Sequence, residues 1–215
     1  MQRKLKISND LSLPADFVTQ TCAILARRGA GKSYTGSVLA EELIEGVFHV
    51  CIIDPIGVFW GLRSSEDGKS EGLPVVIFGG DHGDLPLEPT AGALIADVVM
   101  DKKITAILDL SLMRKGEQDR FVCDFAERLY FKNRTPLHLI VDEADSFAPQ
   151  KPQPGQQRML GALADLVRTG RARGIGRTMP RARPFRTRSS IAPSMRCWPG
   201  CGFCGAKESA SSTIK

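Results

Sequence analysis

Short apolar runs punctuate the chain at Cys22–Leu25, Val50–Ile53, Val75–Phe78, Ile104–Leu108 and Leu137–Val141. They lack the in-out alternation of a half-exposed strand, as expected of parallel strands covered on both faces. Between them the apolar spacing changes to that of helices. Ala91, Leu94, Ile95, Val98 and Val99 make one stripe. Phe121, Val122, Phe125 and Leu129 make a second, and Met159, Leu160, Leu163 and Val167 a third. Val38, Leu39 and Leu43 give a further helix its inner face, and Gly46 stops it. Strand alternating with helix predicts a three-layer α/β domain with a mostly parallel sheet.

At the start, Leu5 and Ile7 alternate with lysines and Pro14 ends the segment, which predicts a short edge element. Arg63–Gly72 reads as a polar loop, and Pro149–Gln157 as a Pro- and Gln-rich one. From Arg177 the texture changes. The apolar period is lost, Pro, Arg, Ser and Gly crowd in, and disorder is expected. The chain therefore divides into a domain over 1–176 and a basic tail over 177–215.

The 215 residues suit one domain of ordinary size. The formal net charge of +5 comes from the tail, where eight Lys and Arg face one acid, Glu208. The body is mildly acidic, so the charge alone implies no nucleic-acid affinity. No apolar run is long enough to cross a bilayer, and "MQRKLKISND" has no signal-peptide core. No membrane partner is expected, and the cytoplasm is the default compartment. Cys22, Cys51 and Cys123 sit in apolar segments and read as buried, reduced thiols. Cys197, Cys201 and Cys204 cluster in the tail without a fourth ligand nearby, and His49, His82 and His138 are far upstream, so a zinc site is not expected.

The candidate chemistry begins at "ILARRGAGKSYTG", Ile24 to Gly36. A strand leads in and a helix leads out, the context a phosphate-binding loop needs. Amide groups along Arg28, Gly29, Ala30, Gly31, Lys32, Ser33 and Tyr34 can converge on phosphate oxygens at a helix N-terminus. Lys32 would meet the β- and γ-phosphates, and the Ser33 hydroxyl would hold Mg²⁺. Ala26 replaces the first glycine of the usual pattern, at the strand exit, where a small residue with negative φ suffices.

The second half of such a site is "LHLIVDEADSFAP", Leu137 to Pro149, an apolar strand ending in Asp142–Glu143. This is a Walker B arrangement, with Asp142 on Mg²⁺ and Glu143 as general base toward water. Asp54 ends the strand in "CIIDPIGVFWGL" and reads either as a nucleotide-site carboxylate or as a turn carboxylate before Pro55. Arg168, Arg171 and Arg173 in "LVRTGRARGIG" read either as cations at a helix C-terminus or as groups for a neighbour's γ-phosphate.

In this order "AILARRGAGKS", "CIIDPIGVFWGL", "HLIVDEADSFAP" and "RTGRARGIG" resemble the HerA group of the HerA–FtsK ATPases, over roughly Leu5 to Gly176. The resemblance implies a RecA-like P-loop core with ATP and Mg²⁺ as ligands. It further implies a hexameric ring, translocation or unwinding of double-stranded DNA, and a nuclease partner. By the same resemblance Lys32 and Ser33 bind phosphate and Mg²⁺, Asp142 binds Mg²⁺, Glu143 is the base, and one of Arg168, Arg171 or Arg173 acts in trans.

The family pattern continues after "RGIG" into a buried strand with a Gln-Arg-Pro end, whereas this chain reads "RTMPRARPFRTRSS". That segment has no strand character, so the expectation is a core whose C-terminal strands are missing, as in a truncated or frame-shifted product. Two rival functions remain. A non-motor ATP-binding protein, regulatory or defence-associated, would lack DNA-stimulated hydrolysis. A nucleoside or small-molecule kinase would carry a substrate-gripping lid, and the region after Glu143 has none.

Overall fold

Each of the five apolar runs forms a strand in the computed structural model, which describes residues 4–27, 29–65, 72–149, 155–182 and 194–197. A small hairpin of β1 (Lys4–Lys6) and β2 (Ser12–Pro14) comes first. Next are β3 (Thr21–Ala26), α1 (Lys32–Glu45), β4 (Val50–Asp54), β5 (Val76–Gly79), α2 (Gly92–Lys102) and β6 (Ala106–Asp109). Then follow α3 (Lys115–Lys132), β7 (Leu137–Val141), the single turn α4 (Ala144–Phe147), α5 (Gln157–Thr169), β8 (Ile175–Ala182) and β9 (Ser194–Cys197).

Seven strands form one sheet in the order β5-β6-β4-β7-β8-β3-β9. The first six are mutually parallel, and β9 runs antiparallel to β3 from Leu25↔Ser194 to Cys22↔Cys197. Both faces are covered, which explains why the strands read as unbroken apolar runs. Cys51, Ile53, Leu108, Leu139 and Val141 face the layer of α2, α3 and α5. Ile52, Ile77, Ile107 and Ile140 face α1 and the N-terminal segment. Phe121, Val122, Phe125 and Leu129 of α3 are all fully buried, at roughly 1.5–3 kcal/mol for each large side chain.

Three details depart from the sequence reading. The opening residues are not an edge of the main sheet. They form their own hairpin, whose Leu5 is buried beside Leu39 and Leu43 and whose Lys6 N–H donates to Glu42 Oε2 at 2.6 Å. The inner face of α2 is Ile95, Ala96, Val99 and Met100, while Leu94 is 63% exposed.

The third departure is the largest. Residues 177–182 are not outside the domain, because Ile175–Ala182 is one strand lying between β7 and β3. The sheet is therefore not missing this strand. Its side chains argue against a strand, but its position offers two flanking strands to pair with, and tertiary context overrides weak propensity. Two local arrangements remove the objections. Pro180 falls past Thr178, the last residue paired to β7, so it needs no partner on that side. The Arg177 guanidinium is buried but donates to the carbonyls of Leu166 and Val167 at the end of α5. A Cβ at Gly176 would come within 2.1 Å of Val18 O, so only glycine lets β8 approach the turn at Ala15–Thr19. Most of the remaining tail, with Cys201 and Cys204, lies outside the described residues, as do Glu66–Glu71 and Gln150–Pro154. Among the described residues no helix is long and apolar enough to cross a membrane.

Candidate nucleotide site

The loop between β3 and α1 has the backbone of an anion cradle. Gly29 and Gly31 sit at φ 75° and 80°, a region that glycine enters without strain. A Cβ at either would meet no atom within 4 Å, so both are glycine for their conformation. Gly31 is the N-cap of α1 and supplies no side-chain cap. The first i→i−4 bond is Thr35 N–H to Gly31 O at 2.9 Å. The amides of Lys32, Ser33 and Tyr34 are therefore left without an intrahelical acceptor. Ala26 closes β3 with its φ negative, as the sequence reading required. Arg28 lies outside the described residues.

Lys32 is 6% exposed, and among the described residues its ammonium has no carboxylate partner. A buried cation without a counter-ion is costly unless a ligand supplies the negative charge. Tyr34, two positions on, is 75% exposed.

The carboxylates come from the same edge of the sheet. Asp142 follows β7, has no solvent exposure, and accepts a hydrogen bond from Ser33 Oγ at 3.2 Å. This contact joins the phosphate loop to the Asp142–Glu143 turn across the intervening β8. Burial pushes the Asp142 carboxyl above the usual range, with the charges of Asp54 and Glu143 adding to it. Glu143 adopts φ 43°, an uncommon conformation for a side-chain-bearing residue, and starts α4. Its carboxylate is half-buried and makes no hydrogen bond among the described residues.

Asp54 resolves into the turn carboxylate. Its Oδ1 accepts the amides of Ile56 and Gly57, at 3.1 and 2.8 Å. Its Oδ2 accepts those of Val58 and Phe59, at 2.6 and 2.8 Å. Burial pushes this carboxyl up while the four amides pull the other way. All its strong acceptor positions serve the backbone, which makes it an anchor for the loop beside the site rather than a nucleotide contact.

The arginines lie elsewhere. β8 begins beside the first residue of β7, so the turn at Gly170–Arg173 is at the opposite edge of the sheet from Lys32. A strand of this length separates the two edges by about 15–20 Å. Arg173 stacks over the Tyr130 ring at 4.2 Å and donates to Phe131 O at 3.5 Å. Arg168 and Arg171 are exposed and make no ion pair among the described residues. None of the three reaches the site of its own chain.

Two features escaped the sequence reading. Asp109 ends β6, is 4% exposed, and pairs in register with Asp54. The signal was present: "CIID", "AILD" and "LIVD" are three apolar strands with one acidic ending. The other is His138, buried in β7 with Nδ1–H donating to Val18 O at 3.0 Å and Nε2 accepting from Thr178 Oγ at 2.9 Å. Burial, with a smaller contribution from the charge of Arg177, lowers its pKa to about 4. A neutral imidazole so placed is structural, and nothing in the linear pattern marks it.

The residues present fit a magnesium nucleotide: orphan amides, an uncompensated buried ammonium, and a hydroxyl facing a buried carboxylate. Residues 6–78 match the family model DUF87, Helicase HerA, central domain, a span that includes Lys32 and Asp54 and ends before Asp142. No curated protein matches by sequence. Among solved structures, the genome packaging NTPase B204 from Sulfolobus turreted icosahedral virus 2, in complex with ATP-gammaS, is 19% identical with a TM-score of 0.42. That match covers 77% of this chain and 67% of that one. The pCW3 conjugation coupling protein TcpA, monomer form with ATPgS, is 12% identical with a TM-score of 0.42. There the match covers 85% of this chain, which spans 48% of that protein.

Proposed function

We propose, for a chain of the HerA–FtsK P-loop type, that it binds ATP with Mg²⁺ at the loop Gly29–Ser33 and hydrolyses it in the service of a DNA-translocating ring. The observation that carries the reading is the Ser33–Asp142 contact at 3.2 Å, which brings together the two segments that such a site requires.

In this reading the orphan amides of Lys32, Ser33 and Tyr34 hold phosphate oxygens, while the Ala30 amide donates to Arg27 O at 3.2 Å and holds the loop's own turn. Lys32 supplies a positive charge that reaction does not have to reorganise. Ser33 and Asp142 would hold Mg²⁺, which when bound neutralises charge on the phosphates. Glu143 accepts a proton from water, a role for which its unbonded carboxylate is available. Arg168 or Arg171, exposed at the far edge, serves the site of a neighbouring copy. Arg173 is less suited, since its guanidinium already stacks on Tyr130. Double-stranded DNA, a six-membered ring and a nuclease partner belong to the proposal through the family. So does the cytoplasm, as the compartment that supplies ATP.

The test is ATP hydrolysis by this chain and by Lys32→Ala, each with and without duplex DNA. The reading expects hydrolysis that DNA stimulates and Lys32→Ala abolishes. ATP binding without DNA-stimulated turnover would favour a non-motor ATP-binding protein. Equal behaviour of the two chains toward ATP would overturn the site assignment.

A further inference from the structure

We propose that Tyr34 is the nucleobase platform of this site, so that the chain selects nucleoside triphosphates over bare polyphosphate by stacking. The inference rests on the phosphate-loop reading and extends it from the phosphates to the base.

Tyr34 occupies the first turn of α1, directly after Ser33. Ser33 faces Asp142, which assigns that side of the loop to the metal and the terminal phosphates. The last of the three orphan amides is that of Tyr34 itself. A phosphate chain held along those amides therefore has its nucleoside end at Tyr34. There the ring is 75% exposed, and it makes no hydrogen bond or ring contact among the described residues.

Among the described residues the other well-exposed aromatic rings are already engaged. Trp60 is stacked on His82 with centroids 4.0 Å apart. Phe131 lies at the far end of α3, under Arg173. An uncommitted aromatic face beside a phosphate cradle matches one chemistry, the π-face of a purine or pyrimidine. A ring face reads stacking surface rather than hydrogen-bonding edges, so purines bind ahead of pyrimidines and ATP binds much as GTP does.

The experiment is calorimetric titration of the whole chain with Mg²⁺ and ATP, GTP, UTP or inorganic tripolyphosphate. It is repeated for Tyr34→Ala, Tyr34→Phe and Lys32→Ala. The proposal expects Tyr34→Ala to weaken ATP and GTP roughly tenfold. Tripolyphosphate binding is unchanged in that variant, and Tyr34→Phe behaves as the parent. The proposal is overturned if Tyr34→Ala binds ATP as the parent does. It is equally overturned if ATP and tripolyphosphate weaken together, since Tyr34 would then only support the loop. Failure of the phosphate-loop reading looks different: the parent binds neither ATP nor tripolyphosphate, or Lys32→Ala binds both as well as the parent.

Discussion

The hydroxyl of Ser33 lies 3.2 Å from Asp142 Oδ2, although 109 residues separate the two in the chain. Three strands, β3, β8 and β7, are needed to set that distance, so the contact reports on the order of the sheet as well as on the site. Asp142 is held at a cost to the fold. Burial raises its pKa, and Asp54 and Glu143 raise it further. With the native value above the unfolded one, the native state binds more protons between the two, and stability falls as pH rises through that window. The ionised carboxylate is thus a strain at neutral pH in the nucleotide-free chain.

Asp142→Asn is therefore expected to unfold at a higher urea concentration than the parent at pH 7, by about 1 kcal/mol. The same variant should lose most Mg²⁺-dependent affinity for ATP. Urea denaturation and calorimetry on the two chains check both halves. A destabilised Asp142→Asn would mean that the Ser33 hydrogen bond outweighs the burial of the charge.

Asp54 should behave in the opposite way. Its two oxygens accept four backbone amides between Ile56 and Phe59. Removing the carboxylate leaves those donors unsatisfied in a buried turn, so Asp54→Ala should lose about 3 kcal/mol of stability without nucleotide. Asp54→Asn keeps one acceptor oxygen and should fall between that variant and the parent. Urea midpoints for the three chains decide the matter, and unchanged midpoints would restore Asp54 as a ligand-binding group.

His138 makes the fold sensitive to acid. Its native pKa is about 4, lowered by burial from 6.5, while in the unfolded chain it titrates near the ordinary value. Between the two the unfolded state binds the extra proton, so stability is full above about pH 6.5 and is lost as pH falls toward 4. The contribution is on the order of a few kcal/mol. In His138→Gln this part of the pH dependence should vanish, as denaturation series from pH 4 to 7 on both chains would reveal.

The five strands and the four long helices were legible because each depends on local pattern, and Ser33 and Asp142 were each marked by their own segment, although only the strand order brings the two together. An apolar run flanked by Gly-Lys-Ser or by Asp-Glu carries its own context. β8 was illegible for the converse reason. Arg177 and Pro180 argue against a strand by propensity, and only carbonyls contributed by α5 and the end of β7 pairing at Thr178, which leaves Pro180 paired to β3 alone, make them acceptable. The role of Asp54 was half legible. Its place at a strand end was plain, but its four amide partners exist only once the loop has folded around it.

The arginines give the last expectation. The turn carrying Arg171 is at the opposite edge of the sheet from Lys32, so any catalytic use of Arg171 must be in another copy's site. Arg171→Ala should then leave ATP binding and the unfolding midpoint unchanged while lowering turnover by at least roughly a hundredfold. Glu143→Gln should be equally slow for a different reason. Mixing the two inactive chains supplies an intact base from one and an intact arginine from the other. In a head-to-tail ring of randomly mixed subunits, roughly a quarter of the contacts pair the two intact groups, so about that share of parental activity should return. Turnover measured across mixing ratios would peak at equal amounts. A flat line at the level of the separate variants would remove Arg171 from catalysis and leave Arg168 as the remaining exposed candidate.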